Sequence, residues 1–167
     1  MKKVAVLIEN LFDDEELIVP YHRLREDYEV VLVGTEADKE YKSKSGFVKK
    51  SDVASKDVKA SDFDGVVIPG GFSPDYMRRS KDTVNFVKEL HEQGKPISAI
   101  CHAGWMLVES LNLSGVKMTS TATIRKDMEN AGANWVDEEV VVDNNIVTSR
   151  SPLDLPAFMK EFIKLVG

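Results

Sequence analysis

The chain has 167 residues, of which 43% are apolar and 30% charged, and its formal net charge is −6. These values are typical of one folded globular domain, and the acidic balance argues against a nucleic-acid partner, because phosphate binding needs clustered Lys and Arg. A single cysteine cannot form an internal disulfide, and no segment approaches the roughly 18 apolar residues of a membrane span, so we expect a cytoplasmic protein without a membrane partner.

The N-terminal half alternates buried strands with amphipathic helices. Residues 3–8 form an uninterrupted apolar run, which predicts a strand covered on both faces. A helix capped by Asp13 or Asp14 is predicted next, and Pro20 indicates that it is kinked or starts late. The remaining elements of this half are predicted, in order, as a strand over 28–33, a hairpin near Ser45–Gly46 with an exposed connection to residue 62, a strand over 64–68, and a helix capped by Ser80 and closed by Gly94.

The C-terminal half continues the alternation. A short apolar strand over 97–100 ends at the only cysteine, and a helical pattern follows to Leu111. Continuous apolar strands between helices predict a doubly wound parallel sheet in one α/β domain over residues 1–167. The last predicted elements are a strand over 116–120, a helix over 124–131, a hairpin over 139–149 turning at Asn144–Asn145, and a helix opened by Ser151–Pro152.

Cys101 lies where the pattern changes from strand to helix. A helix N-terminus favours a thiolate over a thiol, and a tight strand-to-helix turn lifts its residue out of the sheet, as a nucleophile elbow does. The neighbours Ala99, Ala103 and Gly104 are small enough for such a turn. A buried structural cysteine fits the same pattern, so both interpretations stay open at this point.

Two further segments are expected near Cys101, because ligands of parallel α/β sheets bind beyond the carboxyl ends of the strands. Gly70 and Gly71, with the N–H of His102, predict an oxyanion hole, and a simple turn is the alternative. The acidic run over 13–16 is either a solvated helix start or the source of one protonated carboxyl beside the thiol. Metal-ligand spacings and nucleotide-binding fingerprints are absent from the sequence, so no metal and no cofactor are expected.

Several segments, in conserved order and spacing along the chain, resemble the PfpI-type intracellular peptidase and glyoxalase family of the ThiJ/PfpI superfamily. The resemblance implies a flavodoxin-like, class I glutamine amidotransferase-like parallel-sheet sandwich with a nucleophile elbow. The matching segments are 12–24 (FDDEELIVPYHRL), 68–71 (IPGG), 99–102 (AICH), 126–132 (KDMENAG) and 140–150 (VVVDNNIVTSR).

The resemblance also implies roles for individual residues. Cys101 would be the nucleophile, and His102 its general base in a peptidase reaction. Glu16 would be the acid that faces the thiol, and Asp13 a second acid where the family has glutamate. Asp75, again in place of a glutamate, would reach the site of a neighbouring subunit, because family members assemble as homodimers or hexamers.

Three segments near the predicted pocket depart from the family pattern. The family reads Cys-His-Gly-Pro, whereas Ala103 and Gly104 follow the Cys-His pair here. Thr121 stands where the family has a pocket tyrosine, and Ser151 replaces the valine after Arg150. Ala103, Thr121 and Arg150 are expected to line the substrate pocket, and the three departures leave the thiol in place and the identity of the substrate open.

Three functions are compatible with these residues. The first is a cofactor-free cysteine enzyme of the stress response that converts methylglyoxal, or its early adducts on glycated protein, to lactate (a glyoxalase or deglycase). The second is an intracellular cysteine peptidase, and the third is a redox-sensing stress protein or chaperone with an oxidisable Cys101. Carbonyl chemistry is favoured because it needs only a small pocket, and all three functions call for a thiol of low pKa.

Overall fold

The computed structural model describes residues 1–167, in which strands and helices alternate along the whole chain. The strands are β1 (Lys3–Leu7), β2 (Glu29–Gly34), β3 (Glu40–Lys42), β4 (Val48–Lys50), β5 (Val53–Ala54), β6 (Gly65–Ile68), β7 (Ile97–Ile100), β8 (Lys117–Met118), β9 (Asn134–Trp135), β10 (Val141–Asp143) and β11 (Ile146–Ser149). The helices are α1 (Asp14–Leu24), α2 (Ser73–Met77), α3 (Lys81–Glu92), α4 (Gly104–Ser110), α5 (Arg125–Asn130) and α6 (Leu155–Val166).

Seven strands form the central sheet in the order β10-β11-β7-β6-β1-β2-β5. All neighbours in this sheet pair in parallel except β10, which is antiparallel to β11. Because successive side chains of a strand point to opposite faces, both faces of the apolar strands need a cover. Val4 and Val6 of β1 pack in the core beneath α1 and α6, whereas Ala5 and Leu7 pack in the core beneath α3 and α4.

Most predicted elements are present, and the exceptions have local causes. Helix α1 begins directly after its Asp13 cap and contains Pro20, so the predicted late start is wrong. The strand predicted over 116–120 is only the two-residue β8, which pairs with β9 outside the main sheet. The connection predicted as exposed contributes β5 to the sheet edge and buries Ala54 and Ala60. Helix α2 has no counterpart among the predicted elements.

The sheet order brings the candidate chemistry to one edge. Strands β1, β6 and β7 are consecutive and parallel, so the loops that follow them meet at their carboxyl ends. Those loops carry the acidic segment, the Pro-Gly-Gly turn and Cys101, as the sequence predicts.

The longest helices, α3 and α6, have 12 residues each, and none of the helices combines the length and apolar character required to cross a membrane.

Candidate active site

Cys101 occupies a strained turn between β7 and α4. Its backbone has a φ of +61°, a region that costs a residue with a side chain about 1–2 kcal/mol and that is often found at functional sites. A 3-10 turn over Cys101–Ala103 leads into α4, and the backbone N–H of Thr121 donates to the Cys101 carbonyl at 3.2 Å. The predicted elbow is therefore present, and its side chain is neither fully buried nor exposed.

Glu16 is the carboxyl that faces the elbow. It lies in the first turn of α1, its side chain is completely buried, and its Oε1 accepts the Gly70 N–H at 2.9 Å. Asp13 caps the helix by accepting the Glu16 N–H at 3.1 Å. Burial is the main cause that raises the pKa of Glu16 to about 8, and the negative charge of Asp13 adds to it. At neutral pH the Glu16 carboxyl is thus mostly protonated and able to donate a proton.

The two glycines of the Pro-Gly-Gly turn are needed for close approach. A Cβ on Gly70 would lie 2.7 Å from Glu16 Oε1 and 3.1 Å from the Cys101 Cβ. Gly71 has a φ of +68°, and a Cβ there would lie 2.5 Å from the Leu11 carbonyl. The turn therefore clamps the acidic loop against the elbow, because no larger residue fits between them.

The predicted oxyanion hole is only partly available. The Gly70 N–H is already engaged by Glu16, so its assignment as an oxyanion donor is wrong for the resting site. The backbone N–H of His102 faces the Cys101 sulfur and acts to lower the pKa of the thiol. The Gly71 N–H has no acceptor within the chain, although Gly71 itself is buried.

The Cys101 thiol has a raised pKa, contrary to the expectation of a thiolate at neutral pH. Burial is the largest cause and the negative charge of ionised Glu16 the second, and together they raise the pKa of Cys101 to about 12. The backbone N–H of His102 opposes these two causes without reversing them. Helix α4 begins only at Gly104 and has seven residues, so its dipole does not compensate for the desolvated sulfur.

His102 contacts the Cys101 thiol through its imidazole ring. Its Nδ1 lies 3.5 Å from the Cys101 sulfur, and its ring packs between Trp105, with centroids 5.2 Å apart, and Phe72, at 6.2 Å. Burial, and secondarily the positive charge of Lys44, lower the pKa of His102 below its ordinary value. The imidazole is therefore neutral at pH 7 and can accept the thiol proton.

Lys44 is a site residue that sequence reasoning missed. The loop of the β3–β4 hairpin docks on the acidic loop, with the Leu11 N–H donating to the Lys42 carbonyl at 2.7 Å and the Lys44 N–H donating to the Phe12 carbonyl at 3.0 Å. This docking places the Lys44 ammonium 2.7 Å from the Asp13 carboxylate. Its charge acts to lower the pKa of both site acids, the carboxyl and the thiol. No local pattern in the sequence marks this position.

The remaining predicted residues lie elsewhere or act differently. The Asp75 carboxylate accepts a hydrogen bond from Arg79 at 3.3 Å and makes none to the thiol or imidazole of its own chain, so its role in a neighbouring subunit stays a prediction. The Ala103 methyl is fully buried in the core beneath α4, and its placement in the pocket wall is wrong. Arg150 follows β11 but is held by Asp154, at 2.9 and 3.1 Å, rather than presented to a ligand.

No group of three or more His, Cys, Asp or Glu side chains in the chain is arranged to hold a metal ion.

A family model described as the DJ-1/PfpI family matches residues 2–165. Deglycase PfpI of Pyrococcus furiosus is 42% identical over 164 residues, which cover 98% of this chain and 99% of that protein. YraA of Bacillus subtilis, whose name gives it as a candidate cysteine protease, is 47% identical over 166 residues, 99% of this chain and 98% of its own.

A solved structure gives the same relationship in three dimensions. The crystal structure of a two-domain protein from Anabaena variabilis, with DJ-1/ThiJ/PfpI-like and ferritin-like domains, superposes with a TM-score of 0.96 and 44% identity. The match covers 98% of this chain and 48% of that longer chain. The predicted flavodoxin-like α/β fold is thereby confirmed.

Proposed function

Because the chain belongs to the DJ-1/PfpI family, as the resemblance of its motifs predicted, we propose that it is a cofactor-independent cysteine enzyme acting on reactive carbonyls. Its substrate class would be a small dicarbonyl such as methylglyoxal, or the early adducts of such a compound on proteins. Relatives named as deglycases support this choice. The observation that carries it is the buried Glu16 carboxyl held beside the Cys101 thiol at an elbow.

The protonation states of the resting site suit attack on a neutral carbonyl. Glu16, with a pKa of about 8, is an acid at neutral pH, and His102, with a lowered pKa, is a base. Two groups whose pKa values are driven apart by their surroundings are typical of acid–base catalysis. The sulfur, protonated at rest, loses its proton to His102 Nδ1 as it forms a bond to the aldehyde carbon, while Glu16 protonates the carbonyl oxygen.

The hemithioacetal formed in this way can proceed to lactate without any external oxidant. The hydrogen on the former aldehyde carbon moves as a proton, by way of an enediol and the carboxylate of Glu16, to the adjacent ketone carbon. The first carbon is thereby oxidised to a thioester and the second reduced to an alcohol. Water then cleaves the carbon–sulfur bond, which releases lactate and restores the Cys101 thiol. The Gly71 N–H, which has no acceptor within the chain, would be the backbone donor to the oxyanion of that last step.

The direct test is lactate formation from methylglyoxal by the purified protein. We expect steady turnover in the wild type and none above background in Cys101→Ala, because the carbon–sulfur intermediate cannot form. Val142→Ala, which removes apolar atoms from the exposed side of the far edge strand β10, is the matched control and should retain turnover. Undiminished activity of Cys101→Ala would exclude the thiol mechanism.

A peptidase is the second candidate, and the contact of 3.5 Å between His102 Nδ1 and the Cys101 sulfur favours it. The same purified protein should therefore be offered an unstructured peptide with a quenched fluorophore. Cleavage that depends on Cys101, without lactate formation from methylglyoxal, would replace the carbonyl reaction by peptide hydrolysis. The redox sensor gains no support from the site, since peroxide reacts with the thiolate and burial disfavours that form here.

A further inference from the structure

We infer that Thr123 is a positioning residue for His102. The Thr123 hydroxyl contacts the His102 imidazole, and the imidazole contacts the Cys101 thiol, so three side chains of one chain form a relay. The two ring nitrogens have separate partners: Nδ1 lies 3.5 Å from the Cys101 sulfur, and Nε2 lies 3.4 Å from the Thr123 hydroxyl oxygen. Cys101 is partly buried whereas Thr123 is exposed. The three groups thus lead from the reacting atom to the surface.

The backbone explains why Thr123 reaches the imidazole. Thr121 donates its N–H to the Cys101 carbonyl, which ties the segment before α5 to the elbow. The 3-10 turn over Ala122–Ile124 follows at once, with Ile124 buried in the core and Thr123 turned toward solvent. The same contact that supports the nucleophile therefore sets the position of the Thr123 hydroxyl.

The hydroxyl oxygen can accept the ring proton of the tautomer that the thiol requires. Nδ1 can accept the thiol proton only when the ring proton is on Nε2, and a proton on Nε2 needs an acceptor. The Thr123 oxygen provides it before the transfer and continues to provide it afterwards, when both ring nitrogens carry a proton. The ring itself is held by Trp105, whose indole N–H donates to Asp127 at 2.9 Å, so neither step requires the imidazole to rotate.

A hydroxyl partner has a different electrostatic effect from a carboxylate partner. A carboxylate at Nε2, such as Asp75 of a neighbouring subunit, would stabilise the imidazolium and raise the pKa of His102 above its ordinary range. A neutral hydroxyl leaves the ring a neutral base at pH 7. The other titratable groups at this site are the Cys101 thiol, the buried Glu16 carboxyl and the Lys44–Asp13 ion pair, and of these Lys44 acts to lower the pKa of His102.

The inference rests on the proposed role of His102 as the base of the thiol, but its test needs no substrate. The chain has only three histidines, so imidazole NMR signals can be followed through a pH titration and assigned with His22→Gln and His91→Gln. We expect His102 to carry its proton on Nε2 and to titrate below its ordinary value of 6.5. Failure of methylglyoxal turnover would leave this result unchanged and would count against the carbonyl reaction alone.

Three variants decide between the partners. Thr123→Val should lower the His102 pKa by about 0.3–0.5 unit and populate the Nδ1–H tautomer, because the imidazolium loses an acceptor. Thiol alkylation at pH 7 should slow by about two- to five-fold in the same variant. Thr123→Ser, which keeps the hydroxyl, should restore both. An unchanged tautomer and pKa in Thr123→Val, or a fall of the His102 pKa in Asp75→Asn as large as that in Thr123→Val, would overturn the inference.

Discussion

The substitution Glu16→Gln offers the sharpest test of how burial controls this site. Glutamine keeps the shape of the protonated carboxyl and an oxygen for the Gly70 N–H, but it cannot ionise. In the wild type, ionisation of Glu16 is disfavoured by folding, since its pKa rises from 4.5 to about 8 and its side chain is fully buried. The variant therefore removes one titration and little else.

The magnitude follows from linkage between folding and proton binding. Between pH 4.5 and 8 the folded state holds a proton that the unfolded state has released, so the free energy of unfolding falls as pH rises and levels off above pH 8. At about 1.4 kcal/mol for each pH unit, the loss approaches about 5 kcal/mol across this range. Glu16→Gln should escape this loss, so its stability relative to the wild type should increase by that amount. The Cys101 titration, raised from 9 to about 12, lies outside this range.

Urea denaturation at a single protein concentration, repeated at pH 5, 6, 7 and 8, measures the difference directly. Glu15→Gln is the matched control, because Glu15 lies in the same helical turn but is exposed. We expect the stability difference between Glu16→Gln and the wild type to grow steadily with pH. A difference that stays constant from pH 5 to pH 8 would refute the claim that Glu16 is protonated in the folded protein at neutral pH.

Two other substitutions test how the site is assembled. Lys44→Met removes the cation beside Asp13 and should shift the pH profile of thiol alkylation to higher pH. Lys50→Met, on the exposed end of the same hairpin, is the control and should leave the profile unchanged. Coincident profiles of Lys44→Met and the wild type would contradict a role for the Lys44 ammonium. Gly70→Ala should lower the free energy of unfolding by about 1–3 kcal/mol and impair turnover, because the new methyl would lie 2.7 Å from Glu16 Oε1. An unchanged urea midpoint together with unchanged activity would show that the Glu16 carboxyl can move aside.

The sequence is informative wherever a local rule decides the structure. The apolar run ending at Cys101 predicts both β7 and the elbow, because a buried strand followed by small residues and a helical period leaves few alternatives. The acidic segment predicts the cap of α1, and the side chain of Asp13 accepts the N–H of Glu16 as that pattern requires. Register along β1 follows from the alternation of its two core faces.

What sequence reasoning misses depends on contacts between distant segments. Lys44 reaches Asp13 only because a hairpin docks on the loop after β1, and no periodicity encodes that docking. The donor role given to Gly70 fails for a similar reason, since its N–H is taken by a carboxyl 54 positions away. The expectation of a low pKa for Cys101 is wrong because a local turn predicts dipole stabilisation, whereas the solvation of the sulfur is set by the whole fold around it.

The charges of the resting site favour a neutral substrate over a charged one. Glu16 and Cys101 are protonated at pH 7, His102 is neutral, and Lys44 balances Asp13 in a salt bridge. The neutral dicarbonyl proposed as substrate would therefore bind without separating an ion pair or leaving a charge without a partner. New charge appears only when the thiol reacts, as the His102 imidazolium and the Glu16 carboxylate. The Thr123 hydroxyl is already placed to accept from the imidazolium, and the Gly70 N–H is already placed to donate to the carboxylate. Donors and acceptors fixed in advance around developing charge are the arrangement that lowers a reaction barrier most effectively.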